Sequence, residues 1–334
     1  MVKGSDVPDI AQYTQIIRIP LIRYWQDMSK QPLLSVIVVF FNMQREAPRT
    51  LHSLTRAYQR QSHDLDYEVI AIDNGSSEPL DEAAITGLGR EFRYFYLETA
   101  SVSPAGAINV AATKANGRYV MVCIDGARIL SPGLLHHTAL ATRLDEKPIV
   151  TTFNWHLGKK VQNEAIHEKY NQCLEDALLN DAGWQTDGYR LFEVSSPALS
   201  SANGWFLPFA ESNCLTVSRS MFDALGGFDE RFCAPGGGIV NLDFLKRACE
   251  LPQSKLIVLL GEGTFHQFHG GVATNVPREK HPWNHFAREY ERVRGEPYAM
   301  PQKEPLFIGT MPHASLPFLY HSTSKVLERH QSTD

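Results

Sequence analysis

The 334-residue chain predicts an α/β fold in which a mostly parallel central sheet is flanked by helices. Three observations carry this. Residues 34–41 (LSVIVVFF) form a short run apolar on both faces, which suits a strand buried on both sides of a parallel sheet. Strand-like and helix-like spacings then alternate through the first half of the chain, the pattern of βαβ units. Finally, the strand-like runs end in polar turns, and ligands of open α/β sheets bind beyond the carboxyl ends of the strands.

Residues 1–32 read as an N-terminal extension, with a short helix around 10–28 and prolines at Pro20 and Pro32. The strand at 34–41 stops at Asn42, and the spacing of Leu51, Leu54 and Tyr58 predicts a helix over 46–61. Residues 67–72 form the second strand, closed by a turn at 73–77 that contains Asp73, Asn74 and Gly75. A helix near 80–90, a strand at 92–97, a helix at 104–116 and a strand at 118–124 follow, the last ending at Asp125-Gly126. Phe41-Asn42, Asp73-Asn74 and Asp125-Gly126 are thereby expected along one rim.

Further on, the pattern predicts a helix at 133–144 and a strand at 148–153. The irregular stretch 155–213, with Trp155, Trp184 and Trp205, has the composition of a binding surface. Helices are expected at 219–226, 242–250 and near 284–294, a strand at 255–260, and an extended proline-containing tail after 297. The expected organisation is an extension (1–32), a catalytic domain (33–275) and a C-terminal extension (276–334).

Composition excludes several classes. A net charge of −5 gives no electrostatic case for nucleic acid as the main partner. No apolar run approaches ~18 residues, so no transmembrane segment is expected, while peripheral membrane contact stays open. No charged region precedes an apolar stretch at the start, which argues against a secreted precursor. Five scattered cysteines without a CxxC pair argue against a disulfide framework or a thiolate zinc site, and suit core residues of a cytoplasmic protein.

The order and content of four segments resemble the signature of family 2 glycosyltransferases, which have the Rossmann-like GT-A fold: 34–42, Ile72-Asp73-Asn74-Gly75-Ser76, 107–117, and Gly226-Gly227-Phe228-Asp229-Glu230. The resemblance spans about residues 33–270. It implies transfer of a sugar from a nucleoside-diphosphate sugar, most commonly a UDP-sugar, to a glycan, lipid or other hydroxyl acceptor with inversion. On the residues themselves, Asp73 past its strand end can accept hydrogen bonds from a base or ribose, or it closes an Asx-turn onto Gly75. Phe41 and the backbone around it can line the same slot. Asn109 falls in the helix that the resemblance places beside the nucleotide, or it is a solvent-facing helical residue.

Asp125 stands where the family has an Asp-x-Asp motif that binds ribose and a divalent cation, Mn²⁺ or Mg²⁺, on the diphosphate. Here the triplet is Asp125-Gly126-Ala127, so the second carboxylate is missing. His266 and His269 follow the last expected strand, where family members often place a metal-binding histidine; both are alternatively structural in a Gly-rich turn. Arg128 is a further source of positive charge for a phosphate. The family's general base is absent too, because the motif after Gly-Gly-Phe-Asp-Glu places Asn241 where an Asp is expected. Asp243 or Glu211 is the candidate replacement, and Trp205 a candidate sugar-stacking platform. Two other readings stay open: a nucleotide-sugar-binding module or partner subunit impaired in catalysis, and a nucleotidyltransferase, which Asn42-Met43-Gln44-Arg45 does not favour after the first strand.

Overall fold

The structure, a computed structural model, describes residues 31–98 and 101–331, so the helix expected over 10–28 lies outside the described residues. β1 (Leu34–Phe40) is buried at all seven positions, as its two-faced apolar run requires. It lies between β2 (Tyr67–Asp73) and β4 (Tyr119–Cys123), with β3 (Phe92–Tyr96) beyond β2, all four parallel. Phe40 pairs with Asp73, Asp73 with Tyr96, and Val38 with Cys123, so these strands finish nearly level. The connections carry α1 (Ala47–His52), α2 (Glu82–Thr86) and α3 (Ala105–Lys114).

The helix expected over 46–61 ends at His52. Beyond it the Ser53 and Thr55 hydroxyls bond the carbonyls of Thr50 and His52, a local alternative to helix that these residues favour. Leu54 and Tyr58 are buried nonetheless. Their apolar signal reported burial, not helical period.

β5 (Arg128–Leu130), α4 (Leu134–Ala141), β6 (Pro148–Leu157), α5 (Gln162–Ala165), α6 (Gln172–Ala182), β7 (Ser195–Pro197), β8 (Cys214–Ser218), α7 (Arg219–Ala224), α8 (Val240–Glu250), β9 (Lys255–His266), α9 (Trp283–Arg294), β10 (Leu306–Gly309) and α10 (Leu316–Gln331) complete the described elements. The sheet runs β10-β9-β6-β8-β4-β1-β2-β3, with β5 on β9 and β7 on β6. β8 is antiparallel to both its neighbours, so β6 and β9 point the same way as β4 and end at the same rim. The sheet is thus a mostly parallel one flanked by helices.

β9 runs past the expected end at 260 because Gly261 kinks it without breaking it. At φ +70°, a Cβ there would stand 1.8 Å from the Thr310 carbonyl oxygen. This extension puts His266 at a strand end. The irregular stretch also holds a true helix, α6, whose Asn171 side chain accepts the N–H groups of Cys173 and Leu174.

Residues after 297 do not form an extended tail. β10 pairs with β9, and α10 presses Phe318 against Trp155 and Trp205, ring centroids 4.5 and 4.7 Å away. Trp205 is fully buried in this aromatic cluster and is a core residue, not a sugar platform. Cys123 and Cys214 lie opposite each other, buried, while Cys173 and Cys233 are exposed. Among the described residues no helix is long and apolar enough to cross a membrane.

A buried polar cluster joins β9 to the helices above it. Glu262 accepts from Ser131 Oγ, from Tyr189 OH (2.7 Å) and from His137 Nδ1 (3.1 Å). Burial disfavours the His137 imidazolium, but the Glu262 hydrogen bond and charge and the Gly133 carbonyl outweigh it and raise its pKa above 6.5. Its stabilisation is therefore complete below the unfolded-state pKa of about 6.5 and fades as pH rises through the higher folded-state value. Urea unfolding from about pH 5 to about pH 9 should show this decline, and His137→Gln should flatten it.

Candidate active site

At the end of β4 the chain must turn close beneath β1. A Cβ on Gly126 would meet Phe40 Cδ1 at 2.2 Å and the Val39 carbonyl at 2.7 Å, so only glycine fits. Ala127 is fully buried; its N–H donates to Asp125 Oδ1 (2.9 Å) and its carbonyl accepts from Gln267 (2.8 Å). The position that carries the second carboxylate in the Asp-x-Asp pattern thus faces the core in this chain. A carboxylate there would be buried without the partners it needs.

The side chains that meet Asp125 come from the end of β9 and the loop after it. Asp125 Oδ2 lies 2.9 Å from His266 Nε2 and 3.6 Å from His269 Nε2, and the two ring nitrogens are 3.2 Å apart. These three candidate ligand atoms all fall within 4.8 Å of one another. Arg128 is buried; its Nη2 lies 3.5 Å from Asp125 Oδ2 and its Nη1 donates to Asn154 Oδ1 at 2.5 Å. Burial would push the Asp125 carboxyl up, but the neighbouring His269 and His266 hold it well below the usual carboxylate range. Burial lowers His266 to about 4. His269 is raised: burial opposes its charge, but Asp125 outweighs it. One carboxylate oxygen and two imidazole nitrogens suit Mn²⁺ tolerably and Mg²⁺, which prefers oxygen ligands, poorly.

The loop carrying His269 is held from behind. Glu175 of α6, buried, accepts the Phe268 N–H with both oxygens (3.0 and 2.8 Å) and is approached by Arg45 Nη2 at 3.2 Å. Burial raises the Glu175 carboxyl to about 7, against the pull of the Phe268 N–H and Arg45.

Of the other residues singled out from sequence, Phe41 stands open on the rim, 53% exposed, with Asn42 exposed beside it. Tyr96, exposed at the end of β3 with its hydroxyl on the Ser76 carbonyl, joins it there; sequence reading passed it over because it closes an ordinary strand run. Asp73 is sealed. Its Oδ1 accepts from Ser76 N and its Oδ2 from Leu80 N and Tyr94 OH.

Asn109 does not reach the rim either. It buckles α3 to the Gly227–Glu230 turn, accepting from Phe228 N and donating to the Phe228 carbonyl and Glu230. Asp243 is fully buried, gripped by Arg247 Nε (2.8 Å) and by Arg294 Nε and Nη2 (2.6 and 2.7 Å). Glu211 is fully buried too, accepting from Ser201 Oγ and Asn213 Nδ2, and burial pushes its pKa up. Both carboxylates proposed as general base are therefore engaged inside the protein. Asn241 is only partly buried in the first turn of α8. A Gly236 hydrogen bond to Val102 ties the loop leading into α8 to the loop after β3, on the rim side.

Residues 35–184 match the family model described as glycosyl transferase family 2. Among solved structures, the chain is similar to TarS 1–349 of S. aureus, at 18% identity and TM-score 0.46, covering 70% of this chain and 60% of that one. It is similar to the same protein in complex with UDP-GlcNAc at 16% identity and TM-score 0.46, covering 77% and 66%. It is also similar to the mannosyltransferase PcManGT from Pyrobaculum calidifontis in complex with GDP-Man and Mn²⁺, at 15% identity and TM-score 0.46, covering 91% and 76%. The chain thus spans 60% of the length of the first of these. No curated protein matches it in sequence. The segment that matches glycosyl transferase family 2 holds β2 to β4, nearly all of β1, and Asp125.

Proposed function

We propose that this chain is a nucleotide-sugar-dependent glycosyltransferase, moving a sugar from a nucleoside-diphosphate donor to a hydroxyl of a glycan, lipid or other acceptor with inversion. The observation that carries the reading is the convergence of Asp125, His266 and His269 where the parallel strands end. Those three residues would hold a divalent cation. Bound there, the cation supplies positive charge that stabilises the departing nucleoside diphosphate. The histidines beside it keep Asp125 ionised, Arg128 Nη2 stands 3.5 Å from its Oδ2, and Phe41 offers an exposed aromatic face for the base, uracil being the one the resemblance favours.

Initial rates and thermal shifts with UDP-, GDP-, CDP- and dTDP-sugars, each with and without metal, test this. Donor turnover with Mn²⁺ is expected, and no turnover or donor hydrolysis under any condition would count against it. Mn²⁺ should bind more tightly than Mg²⁺, by roughly an order of magnitude, given two imidazole ligands; equal affinity in a titration would argue for an all-oxygen site elsewhere.

A second reading is favoured by one observation: Asp243 and Glu211 are both sealed, and Asn241 cannot accept the acceptor's proton. In that reading the chain binds nucleotide sugar without transferring it, as a module or partner subunit. Nucleotide shifts without turnover would select it, and activity gained in Asn241→Asp would identify the missing base.

A further inference from the structure

The two histidines are held by a chain of amides whose orientation is fully determined. Asn275 Oδ1 accepts three backbone N–H groups, from His269 (3.1 Å), Gly270 (2.8 Å) and Gly271 (2.8 Å). Only an oxygen can do so, which leaves Asn275 Nδ2 as the donor to Gln162 Oε1 at 2.9 Å. Gln162 is oriented a second time, because its Nε2 donates to the His266 carbonyl at 2.9 Å. Its Oε1 is therefore an acceptor, and it lies 2.8 Å from His266 Nδ1. The hydrogen of that contact has to sit on the ring nitrogen.

In a neutral ring, Nδ1–H leaves Nε2 bare. Nε2 then turns its lone pair to Asp125 Oδ2 at 2.9 Å and to His269 Nε2 at 3.2 Å. A lone pair and a carboxylate oxygen at that distance repel unless a cation or an extra proton stands between them. Gln162 is fully buried and Asn275 nearly so, and Asn163 clasps the same loop through the Ala273 and Val276 carbonyls, both at 2.8 Å. α5 and the loop after β9 thus act as one rigid holder.

We propose that Gln162 and Asn275 are positioning residues that select the Nδ1–H tautomer of His266, and so aim its Nε2 at a divalent cation shared with Asp125 and His269. Asn275 acts twice, on the His266 ring through Gln162 and on the His269 backbone directly. The hydrogen bond made by one ring nitrogen decides which other nitrogen is free to ligate, and partners of this kind are commonly worth 10–100-fold in metal affinity. The inference rests on reading Asp125, His266 and His269 as a cation site.

The test uses the full chain. Long-range ¹H–¹⁵N spectra of the metal-free protein, with His266→Gln to assign the ring, report the tautomer directly; Nδ1–H is expected, and Nε2–H overturns the proposal. Mn²⁺ binding is then followed by electron paramagnetic resonance. Gln162→Met, which cannot accept from Nδ1, should bind roughly 10–100-fold more weakly. Gln162→Glu keeps the acceptor and should stay within about threefold of wild type, a split that a merely space-filling role would not produce. Wild-type affinity in Gln162→Met together with loss in Asp125→Asn overturns this inference alone, whereas wild-type affinity in Asp125→Asn overturns the cation site as well. If Gln162→Met does not fold, the wild-type tautomer still decides.

Discussion

Asp125→Asn is expected to weaken Mn²⁺ binding more than a hundredfold and to lower kcat/KM by about a thousandfold, roughly 4 kcal/mol of transition-state stabilisation. The amide keeps the shape of the carboxylate, and its oxygen can still accept the Ala127 N–H that closes the turn. What it removes is the charge that His269 and His266 face, and with it the only carboxylate among the three converging groups. The loss should therefore appear in metal titrations and rates while the melting temperature stays close to wild type. Unchanged rates at saturating donor would mean that the reaction runs without this residue.

Asp243→Ala should do the opposite. The carboxylate is fully buried between Arg247 and Arg294, and removing one partner of a buried ion-pair cluster typically costs 3–5 kcal/mol because the remaining charges lose their counterpart. For a chain of this size the melting temperature should fall by about 4–7 °C. Donor binding by the protein that remains folded should be unaffected. A variant with wild-type stability and no turnover would return Asp243 to the role of general base.

These two residues show what could be read from sequence and what could not. Both are acidic residues in motif positions, and nothing local separates them. Asp125 follows a strand that ends at the rim, so its place was legible from the strand run and its closing Gly126. Asp243 lies inside α8, and its fate depends on Arg294, half a hundred positions downstream in α9, which no spacing announces.

The parallel half of the sheet was legible because its strands are apolar on both faces. β9 was cut short because Gly261 and Gly263 read as an ending. Asp73 was placed correctly at its strand end, but the turn consumes its oxygens, an alternative that composition alone could not decide. The paired histidines were legible as candidates; the amides of Gln162 and Asn275 that hold them were not, since Gln and Asn at those positions carry no pattern until the fold brings them together.

Phe318 has a consequence for how the molecule is made. It fills the space between Trp155 and Trp205, both synthesised long before it, and β10 covers an edge of β9 that would otherwise offer unpaired backbone. A nascent chain can assemble β1 to β4 early, but it cannot finish the aromatic half of its interior until α10 has been made. Closure on that side is therefore expected to be slow, because its contacts are distant in sequence, and to leave the waiting tryptophans open to aggregation until it occurs.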